Sequence, residues 1–261
     1  MTPNTIMGIN NLPITEKREI YARFIPPILL DRFKLSPYLV DNKGNDLLLL
    51  NYPSGSSSTE MSLYHQFKFQ DPVLYGHLTD TLNGQIHVLL YILNNPDSPR
   101  FDVDIMPDGS PTKFGTYQRN IDAEIAALKA GLAPGQIRSG LRMLSEAIES
   151  FESFILSVKH DLYFVEPLYY HNAVIFERNG FDYISGKKLM KRINDGFSET
   201  CVLVPLLDRS TPFRHPEAAN SIRLRSWAIH DGIFGEPFDG VTMFKQVGKL
   251  ASITTTLGCQ W

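Results

Sequence analysis

The sequence is poor in cysteine and contains no long apolar run. Its two cysteines, Cys201 and Cys259, exclude a disulfide framework and a cysteine-rich metal site, and they leave open a single bridge between them. No stretch approaches the roughly 20 apolar residues that a membrane helix needs, and the N-terminal segment has no apolar core typical of signal peptides. We therefore expect a cytoplasmic protein that does not enter a membrane.

The sequence also lacks an excess of charge of either sign. The formal net charge is -3 at pH 7 and the sequence pI is about 6.2. Such a chain has no general attraction for polyanions, so any anion must bind at a local site. We exclude nucleic acid and expect a small-molecule substrate as partner, with a homodimer left open as the assembly.

Turn signals and hydrophobic periodicity predict a strand-rich first half. Apolar residues near helical spacing on both sides of Pro26-Pro27 predict two short helices, and a β pattern follows from Tyr38. Asn83-Gly84 between two apolar runs predicts a type I′ hairpin, in which both central residues have positive φ. The alternation in FDVDI, residues 101–105, predicts a further strand. Together these segments predict an antiparallel meander.

Helices and strands alternate in the next part of the chain. Residues 120–132 have helical periodicity that ends at Gly131, and a long amphipathic helix is predicted to follow from Leu141. LYFVEPL predicts a buried strand, HNAVIFERNGF a short helix and FDYISG a final strand. We predict an α/β or α+β protein with a mixed, mostly antiparallel sheet and flanking helices.

The segment NAVIFERNGFDYISG, together with this order of elements, resembles the core of the GNAT N-acetyltransferase superfamily. That superfamily has a recurring segment of an asparagine, a small residue, an aromatic residue, two polar residues and Gly-Phe before its last core strand. The resemblance covers about residues 60–186 and implies an acyl-CoA N-acyltransferase-like core. Residues 1–59 would then be N-terminal helices and a hairpin, and residues 187–261 a C-terminal extension.

The resemblance implies acetyl-CoA, or another acyl-CoA, as cofactor. In the superfamily, backbone N–H groups of the loop before the long helix bind the pyrophosphate, and the helix dipole contributes. Measured from Gln136, the two positions that are small in the superfamily hold Ser139 and Leu141, so the glycine spacing is altered. A simple turn between two packed helices is the alternative. The implied cofactor-binding residues are Gly135, Gln136, Ile137, Arg138, Ser139 and Gly140.

Acyl transfer to an amine requires a base for the nucleophile and an acid for the leaving thiolate. Glu166 ends the predicted strand where the superfamily has its cleft, and partial burial there would raise the pKa of its carboxyl toward that of a useful base. A water held by acidic residues is the alternative base. The superfamily's acid is often a tyrosine in the short helix, where this chain has Phe176. Tyr169 and Tyr170, just before that helix, are the candidate acids.

Four residues are candidates for binding a substrate or the cofactor. Asp102 and Asp104 should share one face of a predicted strand, where they would hold a water, bind a cationic amine or form the solvated face of an edge strand. Arg214, in an arginine-rich tail, suits a carboxylate or phosphate. Asn172 is expected to bind the amide arm of the cofactor or to cap the short helix.

Two further hypotheses belong to other functional classes. Phe176 and the altered glycine spacing favour a non-catalytic small-molecule-binding protein with the same fold. A metal-dependent enzyme is the third hypothesis. It would use His171, Glu177, His215, His230 and Asp231. Since the chain contains no HExxH or HxH spacing, we predict no metal site.

Overall fold

The computed structural model describes residues 3–113, 115, 117–198, 201–256 and 258–261. These residues form eight α-helices, seven strands and two short 3₁₀ segments at Val204–Leu206 and Pro216–Ala219. No helix in the described part of the chain combines the length and the apolar character needed to cross a membrane.

Three N-terminal helices precede four consecutive strands, and the rest of the chain combines five helices with three single strands. The helices are α1 (Ile6–Asn10), α2 (Ile14–Ala22), α3 (Pro27–Phe33), α4 (Ile121–Lys129), α5 (Leu144–Ser157), α6 (Tyr170–Arg178), α7 (Lys187–Phe197) and α8 (Ile222–His230). The strands are β1 (Leu48–Asn51), β2 (Ser58–Leu63), β3 (Leu74–Asp80), β4 (Ile86–Leu93), β5 (Leu162–Val165), β6 (Asp182–Ser185) and β7 (Thr242–Gln246).

The strands belong to one mixed sheet with the order β1-β2-β3-β4-β5-β7-β6. β1 to β4 form an antiparallel meander, and β4 pairs with β5 in parallel orientation. A parallel pair requires a crossover connection, and here the crossover contains α5. The predicted α+β class with a mixed sheet and flanking helices is confirmed.

The chain divides into two compact units, each assembled from separate segments. Unit 1 consists of Met1–Pro96, Gly140–Glu166 and Phe244–Leu250, and unit 2 of Asp97–Ser139, Pro167–Met243 and Ala251–Trp261. Unit 1 therefore holds the meander, β5 and α5, whereas unit 2 holds α4, α6, α7 and α8. The division at residues 59 and 186 that the sequence suggested is a different partition and stays a prediction.

An aromatic cluster packs α5 against the meander in unit 1. The Phe24 ring lies 5.0 Å from the Phe151 ring and 5.1 Å from the Tyr91 ring, both at steep angles. Gly76 on β3 leaves room for this ring, since a Cβ there would lie 2.7 Å from Phe24 Cε1. The buried face of α5 includes Phe151 and Ile155, which agrees with the predicted amphipathic pattern, and Phe154 is buried as well.

Trp227 on α8 is the centre of a hydrophobic cluster in unit 2. Its indole is fully buried, packs on the Phe213 ring at 5.1 Å and donates to Leu132 O at 2.8 Å. Val103 and Ala127 complete the buried cluster. These contacts fix α8, whose last turn carries polar side chains of the site described below.

The β3–β4 hairpin is present, but its turn is not the predicted type I′. Gly84 has φ +74, whereas Asn83 is not among the residues with positive φ. The loop instead closes by a hydrogen bond from Thr81 N to Gln85 O at 2.8 Å. A five-residue loop needs only one residue in the left-handed region, so glycine alone satisfies it.

The strand predicted at residues 101–105 is wrong, because the segment consists of turns with a single bridge from Ile105 to Pro111. The Arg100 guanidinium pairs with Asp102 and, at 2.8 Å, with Asp104. Both carboxylates therefore turn toward one cation, and the predicted edge strand with a solvated acidic face does not form.

Candidate functional site

In unit 1, the parallel pairing of β4 with β5 is short. The register joins His87 to Phe164 and Val88 to Val165, and Glu166 N donates to Val88 O at 3.3 Å. β4 continues to Leu93, whereas β5 ends at Val165. Residues 89–93 of β4 therefore have no β5 partner in the described chain. We call this segment the β4 edge.

A β-bulge begins the β4 edge. His77 pairs with Leu90 and Leu78 with Val88, so Leu89 is an extra residue on β4. Bulges bend a strand, redirect its groups and are over-represented beside active sites. Asn94 N donates to Val73 O at 3.0 Å, on the β3 side. By alternation, the N–H groups of Tyr91 and Leu93 face the open side.

The chain passes the end of the β4 edge and then enters α5. Gly140 forms a bridge with Asn94, and α5 starts at Leu144, three residues later than the first apolar residue of the predicted helix. Arg142 has φ +58, which delays the helix. The N-cap residue Met143 makes no side-chain cap, so the first N–H groups of α5 are not capped by a side chain.

Glu166 follows the last residue of β5, as predicted, but its side chain is 49% exposed. Its Oε2 lies 3.9 Å from His87 Nε2. Burial lowers the pKa of His87, and the neighbouring carboxylate acts in the opposite direction. The Glu166 side chain is therefore only half-buried, and its role as a base stays a prediction.

Most of the predicted cofactor loop belongs to unit 2 and is held by contacts within that unit. Gln136 Oε1 accepts from Ala133 N at 2.8 Å, and Ile137 packs against the Trp227 cluster. The buried Arg138 guanidinium donates to Ser98 O, and Ser139 N donates to Ser98 Oγ at 3.2 Å. Of the six predicted residues, Gly140 is the one that unit 1 contains.

Unit 2 contains a cavity of about 410 Å³ beside α8. We call it the His230 cavity. Its aromatic walls are Tyr169, Tyr170 and Phe238, and the turn after α8 supplies glycine and proline backbone. The α8 residues that line it are Ser226, Ile229 and His230.

A buried carboxylate holds His230 in place. His230 Nε2 lies 3.0 Å from Glu124 Oε1, and Arg119 donates to Glu124 Oε2 from Nε at 2.9 Å and from Nη2 at 2.5 Å. Burial acts to raise the pKa of Glu124, but the bonds from His230 and Arg119 outweigh it and the net pKa is lowered. Because an ionised carboxylate only accepts, Nε2 of the imidazole must carry the hydrogen.

Asp231 extends this network behind the cavity. Arg119 Nη1 lies 3.2 Å from Asp231 Oδ1, while Thr211 Oγ1 donates to Oδ2 at 2.7 Å. The predicted substrate-binding residue Arg214 also reaches Oδ2, from Nε at 3.3 Å. The Arg214 guanidinium is thus already paired with a carboxylate in unit 2.

The predicted tyrosines both line the His230 cavity. The Tyr169 ring stacks on the His171 ring at 5.7 Å and meets the His230 ring edge-on at 5.5 Å. The Tyr170 hydroxyl lies 3.1 Å from Thr256 Oγ1. Burial raises the pKa of both phenols, so both keep their protons at neutral pH.

Asn172 lies in the first turn of α6 and does not cap it. The N-cap residue is Tyr169, and no side chain makes a capping hydrogen bond there. Of the two roles predicted for Asn172, the cap is therefore wrong, and contact with a cofactor stays a prediction.

The residues considered for a metal site have other partners. His171 Nδ1 lies 2.9 Å from Ser226 Oγ, and Glu177 Oε1 accepts from the Tyr183 hydroxyl at 2.7 Å. His215 pairs with the exposed Glu217. Among the residues that the structure describes, no three His, Cys, Asp or Glu side chains come together as a metal site.

Sequence reasoning missed Glu124, Arg119 and Ser226. Glu124 and His230 are 106 residues apart, and Ser226 lies on a helix that was not predicted. The one local signal is the spacing of five residues between Arg119 and Glu124, which does not bring two side chains together on an isolated helix. Tertiary packing alone assembles this site.

The buried His171 predicts an acid-sensitive unit 2. Burial and the nearby His230 lower the pKa of His171 to about 3. The unfolded chain protonates this ring below about pH 6.5, so the folded state loses about 2 kcal/mol of stability between pH 7 and pH 5. Urea titrations of His171→Gln should lack this loss. The variant His215→Gln, at an exposed ring, should lose as much free energy of unfolding between pH 7 and pH 5 as the wild type. If His171→Gln loses as much as the wild type over this range, the prediction is refuted.

Comparison with protein-family models, with curated proteins and with solved structures finds no match for this chain.

Proposed function

We propose that this chain is an N-acyltransferase that transfers an acyl group from acyl-CoA, with acetyl-CoA as the expected donor, to a small amine. The observation that carries the proposal is the β4 edge, with its bulge at Leu89, next to the uncapped start of α5. The meander, the crossover helix, the parallel strand and the short helix α6 also follow the element order of the GNAT core.

Residues of unit 1 fit the donor's phosphates. The first N–H groups of α5 have no side-chain cap, and a helix N-terminus favours an anion. Arg142, exposed two residues before α5, adds a positive charge. Glu146 in the first turn opposes an anion, so it should weaken rather than strengthen phosphate binding.

The β4 edge fits an extended acyl-pantetheine chain. By alternation from the Asn94–Val73 hydrogen bond, the backbone N–H groups of Tyr91 and Leu93 point away from β3, and such donors bind amide and thioester carbonyl oxygens. Acyl-CoA, when bound, would supply an acyl group activated as a thioester, with coenzyme A as the leaving thiol. Glu166, half-exposed beside the end of β5, is the proposed proton acceptor for the amine.

The acid for the leaving thiolate remains one of the two predicted tyrosines. Tyr169 and Tyr170 are protonated because burial raises the pKa of each phenol. Asp102 and Asp104 share the Arg100 cation, which makes them poor ligands for an amine. The water-held base that depended on these aspartates is therefore the weaker alternative.

Placing aspartate at the exposed Ser145, in the first turn of α5, tests the proposed phosphate site. In the protein without ligand, the new charge should stabilise α5 by about 0.3–1 kcal/mol, because a negative charge interacts favourably with the positive N-terminal end of the helix dipole. It should also weaken acetyl-CoA binding about tenfold, because it repels phosphate at close range. Calorimetric titration and thermal unfolding measure the two effects separately.

The matched control is Ser153→Asp, an exposed serine two turns further along α5. It should leave acetyl-CoA affinity within about twofold of wild type, since the charge lies beyond the first turn.

Binding with thiol release in the presence of an amine mixture supports the transferase. Binding without thiol release supports the non-catalytic binding protein, and no binding at millimolar acetyl-CoA removes both donor-dependent hypotheses.

A further inference from the structure

The His230 cavity in unit 2 has the features of a ligand site rather than a packing defect. Its volume of about 410 Å³ is in the range of small-molecule pockets. One wall is an imidazole oriented by a buried, ionised carboxylate, an arrangement that fixes both its tautomer and its direction.

The free nitrogen of this imidazole defines what the ligand must offer. Nε2 of His230 is engaged by Glu124, and Nδ1 makes no hydrogen bond to a described residue. In the neutral ring Nδ1 is an acceptor, because the single hydrogen is on Nε2. A ligand that bonds there must therefore donate an N–H or O–H.

The remaining walls favour a positive charge on that ligand. Tyr170 and Phe238 form a perpendicular aromatic pair with ring centroids 6.3 Å apart, and Tyr169 adds a third ring. Aromatic faces attract ammonium groups within about 6 Å. Glu236, the one carboxylate of the lining, already pairs with Arg192, so the attraction for a cation comes from the aromatic rings; no lysine or arginine of the described chain lines the cavity.

We propose that the His230 cavity binds a small primary amine with an aromatic or apolar body, whose ammonium donates to His230 Nδ1. The aromatic walls and Ile229 hold the body of the ligand. This binding does not depend on acyl-CoA, whereas a role of the amine as acyl acceptor rests on the proposed function.

Three probes of similar size separate the charge from the hydrogen bond. 2-Phenylethylamine and 2-phenylethanol differ only in the polar group, phenylacetate carries a carboxylate in place of the terminal CH2–X unit, and each is titrated into the full chain without acyl-CoA. We expect the amine to bind about tenfold more tightly than the alcohol, because only the amine gains the cation–aromatic attraction. Phenylacetate should bind most weakly. Equal affinities for the three probes, or no binding of the amine at millimolar concentration, overturn the proposal.

A spectroscopic readout tests the contact without any substitution. In ¹⁵N-labelled wild-type protein, the Nδ1 resonance of His230 should shift as 2-phenylethylamine saturates the site. An Nδ1 resonance that does not move at saturation contradicts the contact.

A variant pair tests the same contact through affinity. His230→Phe keeps a ring and removes the acceptor, so the affinity for the amine should fall at least about tenfold. His215→Gln, at an exposed histidine paired with Glu217, should bind the amine like wild type. A folded His230→Phe variant with undiminished affinity refutes the proposal. Failure of these tests leaves acetyl-CoA binding at α5 unaffected, so the two proposals fail independently.

Discussion

Replacing Gly135 by alanine is expected to lower the free energy of unfolding by roughly 2–5 kcal/mol, because it destabilises the packing of unit 2. Two effects contribute to this loss. Gly135 has φ +77, a conformation that costs an L-residue about 1–2 kcal/mol. In addition, a Cβ would lie 2.4 Å from Tyr169 Cε2 and 2.6 Å from the Tyr169 hydroxyl oxygen. Tyr169 cannot move freely, because it is packed on His171 and His230.

Gly131→Ala is the matched control for this substitution. Gly131 has φ +86, but a Cβ there would meet no atom within 4 Å. Its loss of stability should therefore be limited to the backbone term of about 1–2 kcal/mol. Urea unfolding of both variants measures the difference. Equal losses in the two variants would show that the contact between Gly135 and Tyr169 contributes nothing.

The second large effect is expected at Glu124. Glu124→Ala should destabilise the protein by about 3–5 kcal/mol, because it leaves the buried His230 ring without its acceptor and the Arg119 guanidinium with Asp231 alone. The Glu124 side chain is 3% exposed, so water cannot easily replace the lost partner. Chemical unfolding near neutral pH, where the carboxylate is ionised, gives the measurement.

Asp102→Ala provides the comparison at an exposed carboxylate. Asp102 also pairs with an arginine, but its side chain is 66% exposed. Solvent screens such a pair, and its removal should change the free energy of unfolding by at most about 1 kcal/mol. If Glu124→Ala were as mild as Asp102→Ala, the buried network would be of no importance for the fold.

Some elements were predictable because their signals are local. The apolar stripe of α5 has a period that only a helix satisfies, and the helix appears with Phe151 and Phe154 buried. The β3–β4 hairpin was predicted from Asn83-Gly84 and is present, although with another turn type. In each case a few consecutive residues carry the information.

Other elements were missed because their environment is set by distant residues. α8 is buried on several sides, and Arg225 and Ser226 are about as deeply buried as Trp227. The helix therefore lacks the separate polar and apolar faces by which a sequence pattern predicts a helix. The segment 101–105 alternates like a strand, yet without a neighbouring strand its backbone forms turns around the Arg100 ion pairs. Alternation predicts a strand only where a partner strand satisfies the backbone.

The sequence by itself determined the α+β class, the meander and the crossover helix, because periodicity, turn residues and helix ends are properties of short segments. Only the tertiary structure determined which side chains and backbone groups come together in the candidate sites. The pairing of β4 with β5 leaves an open edge beside α5, and packing brings Glu124 to His230 across 106 residues. Hydrogen bonds between residues far apart in the chain leave no spacing in the sequence, so such sites can be recognised only once the chain is folded.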